Sequence, residues 1–258
     1  MLKTEGISYS IGRKQILDDI NISFQPGEFT MILGPNGSGK STFLKIFSGE
    51  IHHYKGAVYY NGIAITNFRK EELARKRAVL SQHADLGFPL SVAEVIMMGR
   101  YPHFTFSPNK KDISICEDVI EQMDLIDFRE RNYLTLSGGE KQRVQFARIL
   151  AQIWEKPAEG NRYLFLDEPL NSLDLNYQQS FLKLSAAFSK AGTVLVAIMH
   201  DINLALKYAT RILFMKEGRL VYETEPAGVT PPMIKNIFNV DATIIRPSND
   251  LPPVVIYQ

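Results

Sequence analysis

The feature that most constrains the fold is a glycine-rich loop between an apolar run and an amphipathic run. The loop reads Gly34-Pro35-Asn36-Gly37-Ser38-Gly39-Lys40-Ser41-Thr42 and fits the pattern G-x-x-x-x-G-K-[ST] at each fixed position. Residues 29–33 (FTMIL) predict a buried strand before it, and residues 42–48 (TFLKIFS) predict a helix that begins inside it. This order of strand, loop and helix indicates a phosphate-binding loop in an α/β protein.

Each part of this loop has a role in binding phosphate. The glycines let the backbone curl so that its N–H groups point at phosphate oxygens, and the positive end of the helix dipole faces the same anion. We expect Lys40 to reach the β- and γ-phosphates of a nucleotide and the Ser41 hydroxyl to ligate Mg²⁺. The alternative is a glycine-rich turn with an unrelated lysine, and both the pattern and its context argue against it.

Composition narrows the class of protein. The chain has 258 residues, of which 45% are hydrophobic and 22% charged, as in ordinary globular domains. A net charge of +1 gives no reason to expect nucleic acid as a partner. The first ten residues lack the apolar core of a signal peptide, and the longest apolar runs are too short to span a bilayer, so we expect another chain to supply any membrane part. The lone cysteine, Cys116, lies in a helical pattern and predicts a buried thiol in a reducing compartment.

The order of predicted elements divides the chain into a core and an insertion. Strands are predicted at 2–9, 16–24 and 57–60, and strands and helices alternate again from 162 onward. Residues 84–159 carry helical patterns and almost no strand signal. We therefore predict an α/β fold with a mainly parallel sheet, an antiparallel β part and an all-helical subdomain at 84–159 inserted between core segments 1–83 and 160–258. The tail after Thr230 predicts a short helix and a proline-rich end.

Two further motifs follow the phosphate loop. Asp167 and Glu168 come directly after an apolar strand, where a carboxylate can hold Mg²⁺ and its neighbour can polarise the attacking water. A turn with two exposed acids is the alternative. Leu136-Ser137-Gly138-Gly139-Glu140 precedes a long helical pattern and predicts a second anion site, with a simple serine-capped helix as the alternative. One nucleotide does not need both the loop and this second site from the same chain.

With these motifs in this order, the chain resembles the ATP-binding subunit of ATP-binding-cassette (ABC) transporters over essentially its whole length. The motifs that carry the resemblance are the phosphate loop at 34–42, the glutamine loop at Gln82, the signature LSGGE at 136–140, the strand motif YLFLDEP at 163–169, the D-loop at 171–174 and the switch histidine His200. The resemblance implies an ABC ATPase core in which two copies face each other head to tail, with each ATP between the phosphate loop of one copy and the signature of the other.

The resemblance also implies a role for each site residue. Ser137, Gly138, Gly139 and Glu140 would contact the ATP bound by the second copy. Ser41, Gln82 and Asp167 would hold Mg²⁺, Glu168 would be the general base, and His200 would sense the γ-phosphate. Tyr9 stands where the family stacks an aromatic ring on adenine, although a packed strand tyrosine is the alternative. Asp174 would make dimer contacts, within a D-loop (LNSLD) that departs from the more common TSALD.

The implied partners are those of a bacterial importer. A separate energy subunit of this kind lies on the cytoplasmic face of the inner membrane as a peripheral protein. Two transmembrane permease subunits would contact the helical subdomain near 86–104, and a periplasmic or surface substrate-binding protein would act indirectly. Residues 91–104 resemble the importers of iron-siderophore, heme and vitamin B12, and residues 81–100 with the loop at 153–169 resemble the hemin importers.

Other functions stay open at this stage. An importer of ferric siderophore or cobalamin would use the same chemistry, and a soluble ABC ATPase outside transport is a more distant alternative. His52, His53, His83 and His103 do not support hemin as the cargo, because the transported molecule does not cross this subunit in the family.

Overall fold

The structure is a computed structural model that describes residues 1–81, 86–87, 89–157, 159–171, 173–247 and 251–258. It divides into two units, one formed by residues 1–67 and 182–258 and the other by residues 68–181. Within these described ranges, no helix is long and apolar enough to cross a membrane. The predicted helical subdomain at 84–159 falls inside the second unit, and its bounds stay a prediction.

Strands and helices alternate along most of the chain. In chain order they are β1 (Leu2–Ile11), β2 (Lys14–Phe24), β3 (Phe29–Leu33), α1 (Lys40–Phe47), β4 (Lys55–Tyr60), β5 (Ile63–Ala64), α2 (Lys70–Lys76), β6 (Arg77–Leu80), α3 (Val92–Met97), α4 (Lys110–Gln122), α5 (Gly138–Gln152), β7 (Tyr163–Asp167), α6 (Leu175–Lys190), β8 (Val194–Ile198), α7 (Ile202–Tyr208), β9 (Arg211–Lys216), β10 (Arg219–Thr224), α8 (Pro231–Phe238), β11 (Ala242–Ile245) and β12 (Val254–Tyr257). The α/β class predicted from the sequence is confirmed.

The first unit contains the parallel part of the core. Strand β3 lies between β8 and β9 and is parallel to both, with Ile32 opposite Ile198 on one edge and Leu213 on the other. All five side chains of β3 and all five of β8 are buried. A parallel strand covered on both faces needs apolar residues at successive positions, which explains the continuous run FTMIL. Strand β10 adds to β9 in the antiparallel sense.

An antiparallel sheet forms the other β part of this unit. Strand β1 pairs with β2 and β4, so that Leu2 lies opposite Phe24 on one edge and Tyr60 on the other. These three side chains are all fully buried. The Tyr60 hydroxyl donates a hydrogen bond of 2.7 Å to the carbonyl of Phe47, the last residue of α1. The antiparallel sheet thereby holds the helix that follows the glycine loop.

The C-terminal tail contains a pair of strands in addition to the predicted helix. Beyond α8, strands β11 and β12 form an antiparallel pair in which Ile244 lies opposite Val255. The sequence predicts a short helix and a proline-rich end for this tail, and the strand pair is an addition to that prediction. Both strands are short runs of β-branched residues, which favour pairing once a partner strand is present.

Helices dominate the second unit, and serine or asparagine side chains define where three of them begin. Ser91, Asn109 and Ser137 are the N-caps of α3, α4 and α5, and each forms a reciprocal capping box with the residue three positions later. Strands β6 and β7 run parallel in the same unit, with Leu80 opposite Leu166. These side chains bind backbone N–H groups of the first turn and so fix where each helix begins.

A buried ion pair holds the segment after α3 to α4. Arg100, only 2% exposed, donates from Nε to Asp112 Oδ1 over 3.0 Å and from Nη1 to the carbonyl of Ala151 over 2.8 Å. Asp112 is also buried and closes the cap of α4 by accepting from the N–H of Asn109 at 3.1 Å. Nearby, burial raises the pKa of the Cys116 thiol to about 12, as expected for an inert, packed cysteine.

We predict that Asp112→Ala lowers the free energy of unfolding by about 3 kcal/mol, because it leaves a buried guanidinium without its main counter-charge. The matched control is Glu117→Ala, which lies on the same helix as Asp112. It removes an exposed ion pair of 2.7 Å with Arg129. That exposed pair contributes at most about 1 kcal/mol. Chemical denaturation of both variants measures the difference, and equal losses would contradict the structural role given to Asp112.

Candidate functional site

The glycine loop folds around the Lys40 ammonium. Lys40 is only 5% exposed, and its Nζ donates to the carbonyl oxygens of Gly34 at 2.8 Å and Pro35 at 3.0 Å. These carbonyls belong to the start of the loop, whereas Lys40 opens α1. The positive charge therefore lies within the curl of the loop, beside the N-terminus of the helix, where an anion is favoured.

Close backbone contacts shape the loop from outside. A Cβ on Gly34 (φ 155°) would lie 2.1 Å from the carbonyl oxygen of Met215 at the end of β9. A Cβ on Gly39 (φ 97°) would lie 2.9 Å from the carbonyl oxygen of Ile16 on β2. Both positions accept only glycine, because any side chain would collide with a backbone atom. Gly34 and Gly39 of the phosphate loop are thus required by packing as well as by phosphate chemistry.

The Ser38 hydroxyl is a buried polar group suited to a ligand. Ser38 is 2% exposed, and its Oγ has no hydrogen-bond partner in the described part of the chain. The backbone of Ser38 is well held, since its N–H donates to Pro35 at 3.2 Å and its carbonyl accepts from the N–H of Gly218 at 3.1 Å. A buried hydroxyl without a partner costs free energy, which a phosphate oxygen at this position would recover.

Tyr9 lines a cavity close to the glycine loop. The cavity has a volume of about 400 Å³, and its lining includes Tyr9, Gln15, His53 and Tyr54. Gln15 directly precedes Ile16, whose carbonyl meets the loop at Gly39. Tyr9 is half-buried with one side facing this space, so it is not the fully packed core tyrosine of the alternative interpretation.

His200 follows β8 at the same edge of the sheet as the loop. Its predecessor Met199 donates its N–H to the carbonyl of Ile32 on β3 over 3.1 Å, one residue before that strand ends at Leu33. His200 itself is exposed. Parallel strands present their C-terminal ends at one edge, so the loop after β3 and the histidine after β8 are neighbours.

The second unit contains the two acidic residues predicted to act on the nucleotide, Asp167 and Glu168. Asp167 is the last residue of β7 and is 4% exposed, and Glu168 follows it in a left-handed conformation (φ 50°) that a non-glycine residue rarely adopts. The Glu168 carboxylate accepts a hydrogen bond of 3.1 Å from the side-chain amide of Asn171. Such a strained, oriented carboxylate is typical of a functional position.

The signature residues form the beginning of α5. Ser137 Oγ accepts from the N–H of Glu140 at 3.3 Å, and the Glu140 carboxylate accepts from the N–H of Ser137 at 2.7 Å. These hydrogen bonds lower the pKa of Glu140, first through the N–H of Ser137, and Arg131 Nη1 lies 3.6 Å from the same side chain. Gly138 and Gly139 occupy the first turn, where backbone N–H groups have no partner within the helix.

Sequence reasoning missed Gln142, which links two of these motifs. Its side-chain amide donates to the carbonyl of Pro169 over 3.0 Å, and so joins the signature helix to the turn that carries Asp167 and Glu168. No local pattern marks this contact, since the residues are far apart in sequence. Asp174 caps α6 by accepting from the N–H of Tyr177 at 2.9 Å, a role compatible with its place in the predicted D-loop.

The structure thus groups the predicted residues by unit. The glycine loop, Tyr9 and His200 lie in the first, and Asp167, Glu168, residues 137–140 and Asp174 lie in the second. Gln82, predicted to ligate Mg²⁺, and Ser172 of the D-loop lie outside the described residues. The metal assignment to Ser41 and Asp167 stays a prediction.

Comparison with known protein families decides the family. A protein-family model described as "ABC transporter" matches residues 17–171, which is more than half of the chain. The chain belongs to the ABC transporter family. The resemblance predicted from the motifs is confirmed, and with it the ATPase class in which ATP hydrolysis is coupled to transport. The matched region extends from β2 through the glycine loop and the signature to the turn after β7.

Individual relatives of this ABC protein cover almost all of it. It is 42% identical over 247 residues to a hemin import ATP-binding protein of Gloeobacter violaceus, covering 95% of this chain and 90% of that one. It is 38% identical to the protein of the same name from Myxococcus xanthus, over 99% of this chain and 96% of that one.

Solved structures agree on the fold. An inward-facing metal-chelate type ABC transporter matches with a TM-score of 0.81 at 21% identity, over 100% of this chain and 96% of that one. A bacterial ABC cassette solved as a dimer matches with a TM-score of 0.75 at 26% identity, over 89% of this chain and 100% of that one. The predicted ABC fold is confirmed by these matches.

We predict that Gly34→Ala abolishes measurable ATP binding and lowers the free energy of unfolding by about 3 kcal/mol, because its Cβ would overlap the Met215 carbonyl. Gly37→Ala is the matched control. Gly37 also has a positive φ of 78°, but a Cβ there meets nothing within 4 Å, so only the conformational cost of about 1 kcal/mol applies. Thermal unfolding with and without ATP measures both effects, and identical behaviour of the two variants would refute the steric argument.

Proposed function

We propose that this chain is the ATP-hydrolysing subunit of a bacterial importer and that the imported molecule is hemin. The observation that carries the proposal is its similarity, over nearly the whole length of both chains, to proteins named as hemin import ATP-binding proteins in several bacteria. The site supports it chemically, because the glycine loop with its enclosed Lys40 is built to receive a triphosphate.

In this proposal, each ATP is held mainly by the first unit. The loop N–H groups and Lys40 bind the β- and γ-phosphates, the Ser38 hydroxyl gains a phosphate oxygen as its partner, and adenine enters the cavity beside Tyr9. Ser41, Asp167 and Gln82 would hold Mg²⁺, which would supply positive charge to stabilise the charge that develops on the phosphates. Hydroxyl, amide and carboxylate oxygens are ligands that suit this hard cation.

Glu168 is proposed as the residue that accepts the proton of the attacking water. Asn171 orients its carboxylate by donating a hydrogen bond to one of its oxygens. His200 is proposed to contact the γ-phosphate from the neighbouring strand end. Positioning and charge stabilisation account for most of the catalysis in phosphoryl transfer.

The second copy of the chain completes the site. Gly138 and Gly139 present N–H groups at the start of α5, and Ser137 offers its hydroxyl. We propose that these groups bind the γ-phosphate held by the other copy's glycine loop. ATP then favours the closed dimer, because these contacts exist only in the closed state. Closure and reopening would drive the permease.

The helical part of the second unit is proposed to receive the permease near residues 86–104. Tyr101 in this segment is 57% exposed and lies against Phe104, with ring centroids 5.7 Å apart. Exposed aromatic side chains are enriched at protein interfaces. Two membrane-spanning permease subunits would dock here, which places the chain at the cytoplasmic face of the inner membrane as a peripheral protein, and a substrate-binding protein would act through the permease.

We predict that Glu168→Gln binds MgATP normally but hydrolyses it at least about 100-fold more slowly, because the amide cannot accept a proton. The variant should accumulate as an ATP-bound dimer in size-exclusion chromatography. Asn171→Ala removes one hydrogen bond that orients the carboxylate but leaves the proton acceptor in place, so it should lose far less activity. Rapid steady hydrolysis by Glu168→Gln would remove Glu168 from its proposed role.

We predict that a mixture of two inactive variants regains activity if the site is shared. Lys40→Ala disables the loop, and Ser137→Arg disables the signature, but a mixed dimer contains one site in which both elements are intact. The regained rate should reach about one quarter of the wild-type rate, because half of the dimers are mixed and each has one intact site out of two. No recovery on mixing would rule out the shared site.

The cargo is tested with the complete transporter in vesicles. We expect a hemin-loaded binding protein to stimulate ATP hydrolysis several-fold and the same protein without hemin to stimulate it less. Binding proteins loaded with ferric siderophore or cobalamin provide the comparison, since those importers would share the ATPase chemistry. Stimulation only by a siderophore- or cobalamin-loaded protein would overturn hemin and leave the ATPase proposal intact.

A further inference from the structure

His200 lies between two fixed stretches of backbone. Before it, Met199 is bound to Ile32 of β3 by the hydrogen bond described above. After it, Asp201 caps α7, and its Oδ1 accepts from the N–H groups of Asn203 at 2.7 Å and Leu204 at 3.1 Å. Because His200 itself is exposed, the place of its imidazole depends on how firmly these neighbours are held.

The side chain of Asn203 binds the C-terminal strand. Its Nδ2 donates to the carbonyl of Val255 over 3.2 Å, and its Oδ1 accepts from the N–H of Val255 at 2.7 Å. One amide therefore satisfies both backbone groups of one strand residue, as a neighbouring strand would. Val255 is 3% exposed, so this contact is shielded from water.

The strand that holds Asn203 is itself anchored. Strand β12 pairs with β11, and the N–H of Gln258 donates to the carbonyl of Asp241 at 2.9 Å. Arg246, directly after β11, donates to the carbonyl of Val229 over 2.8 Å. The pair of strands β11 and β12, called the C-terminal hairpin below, is therefore held by hydrogen bonds to residues outside it.

We propose that Asn203 is a positioning residue for His200, and that the C-terminal hairpin acts in ATP hydrolysis through this side chain. The inference rests on the proposed contact of His200 with the γ-phosphate. Helix α7 has only seven residues and is too short to be stable by itself, so its first turn depends on tertiary contacts. Without the Val255 contact, Asp201 and His200 would be held less firmly, whereas the glycine loop and its affinity for ATP would be unchanged.

The first test compares single variants of the full-length chain. Asn203→Ala should lower kcat about fivefold at unchanged KM and unchanged affinity for ATP, as expected from losing two partly shielded hydrogen bonds. Asn203→Asp retains an acceptor for the Val255 N–H but places a carboxylate oxygen against the Val255 carbonyl in place of the amide donor, so it should lower kcat as well. The control is Gln258→Ala, which removes a hydrogen bond of 2.9 Å to Thr243 within the same hairpin. A kcat loss in the control equal to that of Asn203→Ala would overturn the inference.

The second test asks whether Asn203 acts through His200. In a His200→Ala background, Asn203→Ala should cause no further loss of kcat, because there is no imidazole to position. A further fivefold loss would show that Asn203 acts elsewhere and would overturn the inference alone. If His200→Ala hydrolysed ATP at the wild-type rate, both the proposed role of His200 and the inference that rests on it would be overturned.

Discussion

The close approach of Gly34 to the end of β9 is the constraint on which the site depends. Strand β3 is held on both edges by parallel strands, and a Cβ at the residue after it would lie 2.1 Å from the Met215 carbonyl. Only a residue without a Cβ fits at this point. The loop that follows brings the Lys40 ammonium back to the Gly34 carbonyl, to which it donates a hydrogen bond of 2.8 Å.

In the second unit, a helix cap and a side-chain hydrogen bond fix the positions of the predicted site residues. Ser137 begins α5 through a capping box, and five residues later Gln142 binds the carbonyl of Pro169. The start of the signature helix and the turn after β7 are therefore parts of one hydrogen-bonded arrangement. The hydrogen bond from Gln142 therefore links the signature helix to the residue that directly follows Glu168.

Local patterns account for what could be predicted. The strand at residues 29–33 has the predicted bounds, because a run with four apolar residues out of five directly before a glycine loop admits few other structures. The alternation predicted from residue 162 onward begins with a strand at Tyr163, within the usual uncertainty of element ends. The α/β class followed from the alternation of such elements.

Contacts between distant parts of the chain could not be predicted. The pairing of β11 with β12 depends on a partner strand, and nothing in the tail sequence indicates which segment that is. The amides of Gln142 and Asn203 bind backbone groups 27 and 52 residues away, and neither belongs to a local motif. Such residues look like ordinary polar positions on a helix until the tertiary structure shows what they contact.

The cap at Ser137 has a consequence for how the dimer reopens. Glu140 places a negative charge at the positive end of α5 and occupies the N–H of Ser137, while Arg131 offsets that charge only in part from 3.6 Å. A phosphate arriving from the second copy would meet a helix end that is already partly neutralised. In the proposed dimer, the attraction between this helix end and the γ-phosphate would be weakened accordingly, and a weaker attraction would favour reopening after hydrolysis.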